Sequence, residues 1–260
     1  MSGEIHLEQD GPIAVITIDR PEKHNAITLA MDRQMNELSH RVNRDASIRV
    51  VVLTGAGNRA FTAGSDISNL SEYGSNWEVR NRFDRDEDYV RAVWRMRKPV
   101  VAAVRGYAFG GGMELVCASD IRLATPESTF ATAEIQWGWH GGSGSTQLLT
   151  RVVAPGHAAR LLLTGEPIDA DEALRIGLLQ ELHDADTLME RALALAGTIA
   201  SRAPIAIEST KNMIRIAQSS SIEVGWAYEN DMFSYCMMTE DAKEGQRAFA
   251  EKRQPEFKGR

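Results

Sequence analysis

Two glutamates next to glycine-rich segments could together perform acid–base chemistry. Glu114 follows Gly110-Gly111-Gly112 in the first turn of a predicted helix, and Glu134 follows a predicted strand and precedes a further glycine-rich loop. Two positioned carboxyl groups can divide the work of a general base and a general acid. Carboxyls that share a site tend not to be equally ionised, which separates the two roles. Either glutamate alone is an ordinary surface residue, so the prediction depends on the pair.

The glycines suggest a second feature, a pair of loops that bind negative charge. The segments Ala63-Gly64-Ser65-Asp66 and Gly110-Gly111-Gly112 lie where apolar strands end. Backbone N–H groups in a first helical turn have no intrahelical partner, and glycine leaves them accessible to a ligand. Two N–H donors that converge from separate loops form an oxyanion hole. The alternative for either loop is close packing of a strand against a helix.

Other glycine-dependent motifs are absent from the sequence. The glycines at 106 and 110–112 do not form G-x-G-x-x-G, and G-x-x-x-x-G-K-[ST] occurs nowhere. The segment Gly141-Gly142-Ser143-Gly144-Ser145 misses the serine-hydrolase pattern G-x-S-x-G by one position. Nucleotide binding and a nucleophilic serine are therefore weak interpretations.

Composition argues against several further classes of function. The 29 lysines and arginines and the 36 acidic residues give a formal net charge of -7, without the basic footprint of a nucleic-acid-binding protein. The six histidines show no metal-ligand spacing, so we expect no metal site. The two cysteines fit a reducing compartment, and no apolar run approaches the ~18 residues of a membrane span. We expect a soluble, cytoplasmic protein without nucleic-acid or membrane partners.

The elements that must position these residues alternate between strands and helices. Apolar runs predict strands at 13–18, 50–53, 100–104, 121–124 and 129–132. Helical spacing predicts helices at 28–43, from near Met113 to about Ala118, and across one longer region at 205–235. The charge-dense segment 71–97 predicts a solvated helix or mobile loop, or a flexible wall over a pocket. Alternation of this kind indicates an α/β domain with a largely parallel sheet.

Longer stretches of the sequence resemble the enoyl-CoA hydratase/isomerase (crotonase) family nearly from end to end. The stretches that carry the resemblance are 20–26, 54–67, 101–114, 163–168, 173–178 and 248–253. The resemblance implies a crotonase-like spiral of ββα units over residues 1–200, which holds the acyl-CoA site. It also implies a C-terminal α-helical oligomerisation region over 201–260, assembled as a homotrimer or as a dimer of trimers.

The resemblance also implies roles for single residues. The backbone N–H groups of Ser65 and Gly111 match the family's oxyanion hole, and Glu114 and Glu134 match the two catalytic glutamates. The positions that match substrate-binding residues are Lys23, Ala26, Ala63, Ser65, Asp66, Ile67, Gly110, Gly111, Gly142, Phe249 and Lys252. Phe249 and Lys252 match positions that often reach the CoA of a neighbouring subunit. No separate cofactor is implied, because CoA is part of the substrate.

The implied reaction is the addition of water across the 2,3 double bond of a 2-enoyl-CoA, which gives a 3-hydroxyacyl-CoA. Our hypothesis is that Glu114 activates the water and Glu134 supplies the C2 proton. One alternative is an isomerase, which can work with a carboxylate at the Glu134 position alone. Others are hydrolysis, decarboxylation or ring chemistry on an acyl-CoA, and RNA binding, which the net charge disfavours.

The loop after Glu134 departs from the family pattern. Many hydratases carry Gly-Ile-Ile-Pro-Gly-x-Gly-Gly, whereas residues 138–145 read Gly-Trp-His-Gly-Gly-Ser-Gly-Ser. The missing proline frees the backbone at Gly141, and Trp139 and His140 bring bulk and a titratable ring near the expected acyl pocket. Either His140 packs or faces solvent, or it trims the acyl length or assists proton transfer.

Overall fold

The apolar runs at 50–53 and 100–104 form neighbouring strands at the centre of a sheet. In the computed structural model, which describes residues 3–68 and 88–260, β3 (Val50–Gly55) pairs in parallel with β5 (Val100–Val104). The side chains of 50–53 and of all of β5 are fully buried. A strand that is buried on both faces has no polar side, so its sequence is continuously apolar.

The strands are arranged in two sheets, between which the chain winds as a spiral. Within the described residues, the larger sheet has the order β1 (Glu4–Asp10), β2 (Ile13–Asp19), β3, β5, β7 (Ile121–Ala124) and β10 (Glu181–Leu182). The smaller sheet has the order β4 (Ala60–Thr62), β6 (Tyr107–Phe109), β8 (Thr129–Ala131) and β9 (Ile168–Asp169). Each of β3, β5 and β7 is followed by one strand of the smaller sheet. The predicted α/β spiral of ββα units is therefore confirmed.

Helices lie between and after the strand pairs. Their bounds are α1 Leu29–Arg44, α2 Tyr89–Trp94, α3 Gly111–Ala118, α4 Ser145–Val152, α5 Pro155–Thr164, α6 Ala170–Arg175, α7 Leu188–Ala200, α8 Pro204–Ala217, α9 Ile222–Met237 and α10 Glu240–Glu251. Helix α3 is buried along its whole length and packs against α2 and α4. The helix that carries Glu114 therefore lies between two others, and this surrounding packing holds it in place. Within the described residues, no helix is long and apolar enough to cross a membrane.

Two predicted helical regions are present, but their boundaries differ in detail. Helix α3 begins at Gly111 rather than near Met113, because the left-handed Gly110 (φ 55°) turns the chain directly out of β6 into the helix. The predicted helical region at 205–235 is two helices, α8 and α9. The Ser220 hydroxyl donates back to the Ile216 carbonyl, and Ser221 accepts the Val224 N–H as the N-cap of α9, so the serines end one helix and start the next.

The charge-dense segment 71–97 lies mostly outside the described residues. Residues 88–97, its described part, include α2, in which Tyr89, Val90 and Val93 are buried. This part is packed structure, so neither a solvated helix nor a mobile loop describes it. Residues 71–87 lie outside the described part of the chain.

The C-terminal helices pack less tightly than the spiral. Lys211 is the buried residue of α8, and the residues of α9 are all half-buried or exposed in the single chain. The exposed large apolar side chains of these two helices are Ile205, Ile214, Ile222, Val224, Trp226, Phe233, Tyr235 and Met237. An apolar surface of this kind is typical of a protein–protein contact.

Candidate active site

Two loops of the spiral touch through their glycines. Gly64 has a left-handed backbone (φ 84°), and a Cβ there would lie 2.5 Å from the Gly111 nitrogen. A Cβ on Gly111 would lie 1.8 Å from the Tyr89 hydroxyl oxygen. Only residues without side chains allow the loop after β4 to lie directly against the first turn of α3. The close packing brings the backbones of Ser65 and Gly111 to one place.

The backbone bonds around Ser65 set the direction of its N–H group. The Ile27 N–H donates to the Gly64 carbonyl at 2.8 Å, and the Asp66 N–H donates to the Ile27 carbonyl at 2.9 Å. Because the C=O and N–H of a trans peptide point in opposite directions, the Ser65 N–H faces away from Ile27. The Gly111 N–H belongs to the first turn of α3 and has no intrahelical acceptor. The two N–H groups remain the predicted oxyanion-hole donors.

Glu114 is held inside the protein by the loop that precedes α4. Glu114 is 3% exposed, and its Oε1 accepts hydrogen bonds from the backbone N–H groups of Ser143 and Ser145, each at 3.1 Å. Burial raises the pKa of Glu114 to about 8, and the charges of Glu134 and Asp88 act in the same direction. The two N–H bonds act in the opposite direction and favour the ionised form.

Glu134 lies in a single 3-10 turn, Ala133–Trp137, directly after β8. A Cβ on Gly110 would lie 3.3 Å from the Glu134 Oε1, so the glutamate borders the loop that opens α3. Burial raises the pKa of Glu134, while its own backbone N–H and the charge of His140 oppose the rise. Its Oε2 is buried and makes no hydrogen bond within the described part of the chain. A buried oxygen of this kind is available to a ligand.

The two glutamates titrate as a pair. The charge of Glu134 is one of the causes that raise the pKa of Glu114, so the two carboxyls feel each other. Since burial disfavours two neighbouring negative charges, the pair keeps a proton at neutral pH. A site with one ionised and one protonated carboxyl can remove a proton and deliver another.

Two residues of the site were not predicted from the sequence. Asp88 is fully buried, and its Oδ1 caps α2 by accepting the N–H groups of Val90 and Arg91, each at 2.9 Å. The Tyr89 hydroxyl lies 3.1 Å from the Ser65 Oγ. The sequence signal for these two residues was the run at 88–93, an aspartate followed by Tyr-Val-Arg-Ala-Val. It is typical of an N-capped, partly buried helix, but it follows a charge-dense segment and was therefore overlooked.

The predicted CoA-binding residues near the N-terminus lie on the outer side of the Ser65 loop. Asp66 pairs with Arg20 at 2.6 Å, and the hydrogen bonds from Ser68 and Arg20 lower the pKa of Asp66 to about 2. Lys23 is exposed, Ile67 is 68% exposed, and Ala26 is half-buried. Asp66 thus ties the loop to the segment that carries the other residues.

The remaining predicted residues fall into three places. Ala63 donates its N–H to the His24 carbonyl at 3.0 Å, next to Gly64. Gly142 lies in the loop whose backbone N–H groups hold Glu114. Phe249, which is 88% exposed, lies in the last turn of α10, and Lys252 directly follows that helix, away from the loops around Glu114.

His140 faces solvent and borders two cavities. Its Nδ1 lies 2.8 Å from the Gly141 carbonyl oxygen. A cavity of about 250 Å³ is lined by Thr132, Ile135, His140, Gly141, Ser145, Thr146, Leu162 and Leu163. A second cavity, of about 400 Å³, shares His140 and Gly141 and extends along α2 past Val90 and Trp94. The ring is therefore solvent-facing rather than packed in the core, and it lies on the walls of both cavities.

Fold and site together define a class of protein. An α/β spiral that holds a buried carboxyl pair beside two touching glycine loops suits an enzyme that stabilises negative charge on a carbonyl oxygen while it moves protons. The chain belongs to the enoyl-CoA hydratase/isomerase family, whose model matches residues 8–260. The family, the fold and the class of enzyme predicted from the sequence are thereby confirmed.

Individual relatives agree with the family match. The chain is 38% identical over 255 residues to the short-chain-enoyl-CoA hydratase of Clostridium acetobutylicum, with 98% of this chain and 97% of the relative covered. It is 36% identical over 253 residues to the crotonyl-CoA hydratase of Syntrophomonas wolfei, with 97% of each covered. The crystal structure of an enoyl-CoA hydratase from Bacillus anthracis superposes with a TM-score of 0.93 at 32% identity, covering 98% of this chain and 99% of that one.

Proposed function

We propose that this chain adds water across the double bond of 2-enoyl-CoA thioesters to give 3-hydroxyacyl-CoA. The observation that supports the proposal best is the buried pair of Glu114 and Glu134 beside the touching backbones of Gly64 and Gly111. Isomerisation of a double bond needs only one carboxyl, whereas hydration uses two. The two backbone bonds that hold Glu114 therefore favour hydration over isomerisation.

In the proposed reaction, the thioester oxygen accepts the N–H groups of Ser65 and Gly111. The water oxygen bonds to C3, the electron pair of the double bond shifts toward the thioester oxygen, and Glu114 takes a proton from the water. Glu134 then gives its proton to C2, which restores the thioester. Loss of one oxyanion-hole donor typically costs about 2.7–4 kcal/mol of transition-state stabilisation. Exchange of one proton with solvent returns the two carboxyls to their starting state.

The hydrogen bonds of the two carboxyls support these roles, whereas burial alone would favour the protonated form of Glu114. The two N–H bonds to Glu114 stabilise a carboxylate, which a base requires. Glu134 receives no such bond at its buried Oε2 from any described residue, so the protonated form suits it better. Because the pKa of Glu114 is raised to about 8, its base form grows as the pH rises toward that value.

We propose a short acyl chain for the substrate. The cavity of about 250 Å³ beside Ser145 and His140 is lined mainly by apolar groups, including those of Ile135 and Leu162. The names of the Clostridium and Syntrophomonas relatives point to short-chain and crotonyl substrates. Rates with 2-enoyl-CoAs of increasing length would measure the size limit of the pocket.

We further propose that residues 201–260 assemble the chain as a homotrimer or a dimer of trimers. The exposed apolar side chains of α8 and α9 support an interface there, and the exposure of Phe249 suits a contact with CoA bound to a neighbouring subunit. Light scattering would give the number of subunits. A monomer at assay concentration would contradict this part of the proposal.

The proposed reaction uses no cofactor beyond the CoA of the substrate, because two carboxyls and two N–H donors account for each proton and charge that moves. Two free cysteines, Cys117 and Cys236, support a cytoplasmic location.

Loss of the conjugated enoyl-thioester absorbance with crotonyl-CoA tests the proposal. We expect fast decay and a product heavier by one water for the wild type. For Glu134→Gln we expect a rate lower by about 10²–10⁴-fold. Near-normal turnover of Glu134→Gln would refute the role of Glu134, and a wild type that leaves the absorbance unchanged would refute hydration. A product of unchanged mass would indicate the isomerase.

A further inference from the structure

The Ser145 hydroxyl has no partner inside the folded chain. Ser145 is 2% exposed, and its Oγ makes no hydrogen bond within the described residues. The hydroxyl of Ser119, which is equally buried, donates to the Leu115 carbonyl at 2.9 Å. A buried polar group without a partner is rare enough in native proteins to require an explanation.

The local backbone does not supply a partner. A serine in a helix commonly donates to the carbonyl four residues earlier, as Thr150 does to Thr146 at 2.6 Å. For Ser145 that carbonyl belongs to Gly141, and it already lies 2.8 Å from the His140 Nδ1. The backbone N–H of Ser145 is also engaged, because it donates to the Glu114 Oε1. The hydroxyl is therefore the part of Ser145 that remains available.

The hydroxyl lies next to the carboxyl that we assign as the base. A Cβ placed on Gly141 would lie 2.7 Å from the Glu114 Oε1 and 2.8 Å from the Ser145 Oγ. The two oxygens therefore lie close to the same point beside Gly141, where a side chain would collide with both.

Ser145 also borders the cavity of about 250 Å³ that it shares with Thr132, His140 and Leu162. This volume exceeds that of a single water many times over, and a bound water needs two to four polar partners. Thr132, His140 and Ser145 are among the polar residues that line this cavity. The side chain of Ser145 therefore borders both the cavity and the Glu114 carboxyl, while its Oγ itself is buried.

We propose that the Ser145 Oγ binds the oxygen that is added to C3, first as the water and then as the 3-hydroxyl of the product. This inference rests on the proposed hydration. In the water complex, the Ser145 Oγ accepts the hydrogen that stays on the water, while Glu114 accepts the one that is transferred. A lone pair of the water then faces C3. In the product complex, the Ser145 hydroxyl donates to the new 3-hydroxyl, since a serine can act in both senses.

The first test compares Ser145→Ala with the matched control Ser119→Ala. The alanine at 145 keeps the backbone bond to Glu114 and removes only the hydroxyl. We expect the kcat for crotonyl-CoA hydration to fall by about 10-fold with little change in KM, as for the loss of one hydrogen bond in the transition state. The Tm should stay the same or rise, because a buried unpaired group is lost. Ser119→Ala should instead keep kcat and lose Tm.

The second test measures ligand affinity and does not depend on turnover. We expect the wild type to bind 3-hydroxybutyryl-CoA more tightly than butyryl-CoA, and Ser145→Ala to lose about 3- to 10-fold of that preference. Ser145→Thr, which restores a hydroxyl, should recover part of it. Calorimetric titration of each variant gives the affinities.

The outcomes separate this inference from the proposed function. The role of Ser145 alone would be overturned if the wild type hydrates crotonyl-CoA and Ser145→Ala keeps both its kcat and its preference for the 3-hydroxyl ligand. A loss of kcat accompanied by a loss of Tm and no change in ligand preference would show that Ser145 is structural. A wild type without hydratase activity would refute the proposed function itself.

Discussion

Two clusters of largely buried ionisable side chains differ in charge: one holds two like charges, and the other pairs opposite charges. One is the carboxyl pair, Glu114 and Glu134. The other, here called the lysine network, consists of Lys98, Asp120, Glu208 and Lys211. Lys211 is 5% exposed, its Nζ lies 2.6 Å from the Asp120 Oδ2, and it donates to the Lys98 carbonyl at 2.7 Å. The Lys98 Nζ pairs with Glu208.

The pKa shifts reflect the difference between the clusters. In the carboxyl pair, burial raises both pKa values, and the like charge of Glu134 adds to the rise at Glu114. In the lysine network, burial lowers the pKa of Lys211 to about 8, and Asp120 opposes this. Burial also raises the pKa of Glu208, but hydrogen bonds from Lys98 and Arg97 outweigh it and hold the pKa below its usual value.

The two clusters respond differently to the same free-energy cost, the removal of charged groups from water. Removal of a charge from water is unfavourable in both clusters, and opposite charges with hydrogen bonds offset it in the lysine network. That network attaches α8 to the spiral. In the carboxyl pair, the two N–H bonds to Glu114 offset only part of the cost, which leaves reactive groups for a substrate. Substitutions in the carboxyl pair are therefore expected to lower activity without lowering stability. Substitutions in the lysine network are expected to lower stability without lowering the activity of the folded protein.

The largest effect is expected at the base of the carboxyl pair. Glu114→Gln keeps an oxygen that can accept the N–H groups of Ser143 and Ser145 but can no longer take a proton. We expect hydratase turnover to fall by about 10²–10⁴-fold, while the free energy of unfolding stays the same or rises. Initial rates and urea unfolding of the same preparation check this. A variant that loses stability along with activity would contradict the contrast between the clusters.

The lysine network should respond in the opposite way. Lys211→Met leaves the half-buried Asp120 without its lysine partner, while the Val100 N–H still donates to it, and we expect the free energy of unfolding to fall by about 1.5–3 kcal/mol. The kcat of the remaining folded protein should be unchanged. The double variant Lys211→Met/Asp120→Asn removes the uncompensated charge and should recover part of the stability. Unfolding in urea gives these values, and a double variant no more stable than Lys211→Met would count against pairing as the cause.

The pH dependence of stability should have opposite signs at the two clusters. Between pH 4.5 and about 8, folded Glu114 keeps a proton that the unfolded chain has lost, so its contribution to stability falls as the pH rises. The stability of the wild type relative to Glu114→Gln should therefore drop by more than about 1 kcal/mol across this window. Between about pH 8 and 10.5, unfolded Lys211 holds the proton that the folded protein has released, so its contribution rises with pH.

Urea unfolding near the two ends of each window checks both signs. The comparison at the carboxyl pair uses the wild type and Glu114→Gln, and the comparison at the lysine network uses the wild type and Lys211→Met. If the free energies of unfolding of the wild type and of Glu114→Gln change with pH in parallel, the buried carboxyl does not retain its proton.

The smallest effect is expected at the rim of the lysine network. Arg97 pairs with the Glu208 Oε2 at 2.8 Å, but its side chain is 64% exposed. Water screens such a pair, so Arg97→Ala should change the free energy of unfolding by no more than about 1 kcal/mol. If Arg97→Ala lowers the free energy of unfolding as much as Lys211→Met does, exposure to water is not what distinguishes the Arg97–Glu208 pair from the Lys211–Asp120 pair.

Local sequence patterns predicted the parts of the molecule that depend on near neighbours. The apolar runs gave the buried strands β3 and β5, because a strand covered on both faces needs a continuous apolar sequence. The short strands β4 and β6 were missed, since each runs directly into a glycine-rich loop, whereas the equally short β8 was predicted because the turn at 125–128 marks its start. The break between α8 and α9 was missed because single serines decide it.

The residues alone predicted an α/β domain, the glycine loops, and Glu114 and Glu134 as candidate carboxyls, and the family resemblance added the spiral. Folding was needed to reveal that Asp88 and Tyr89 border the site, that the Ser145 hydroxyl has no partner among the described residues, and that Lys211 reaches Asp120. Burial and the pairing of charges arise between segments that are far apart in the chain, and no local pattern records which of them will meet.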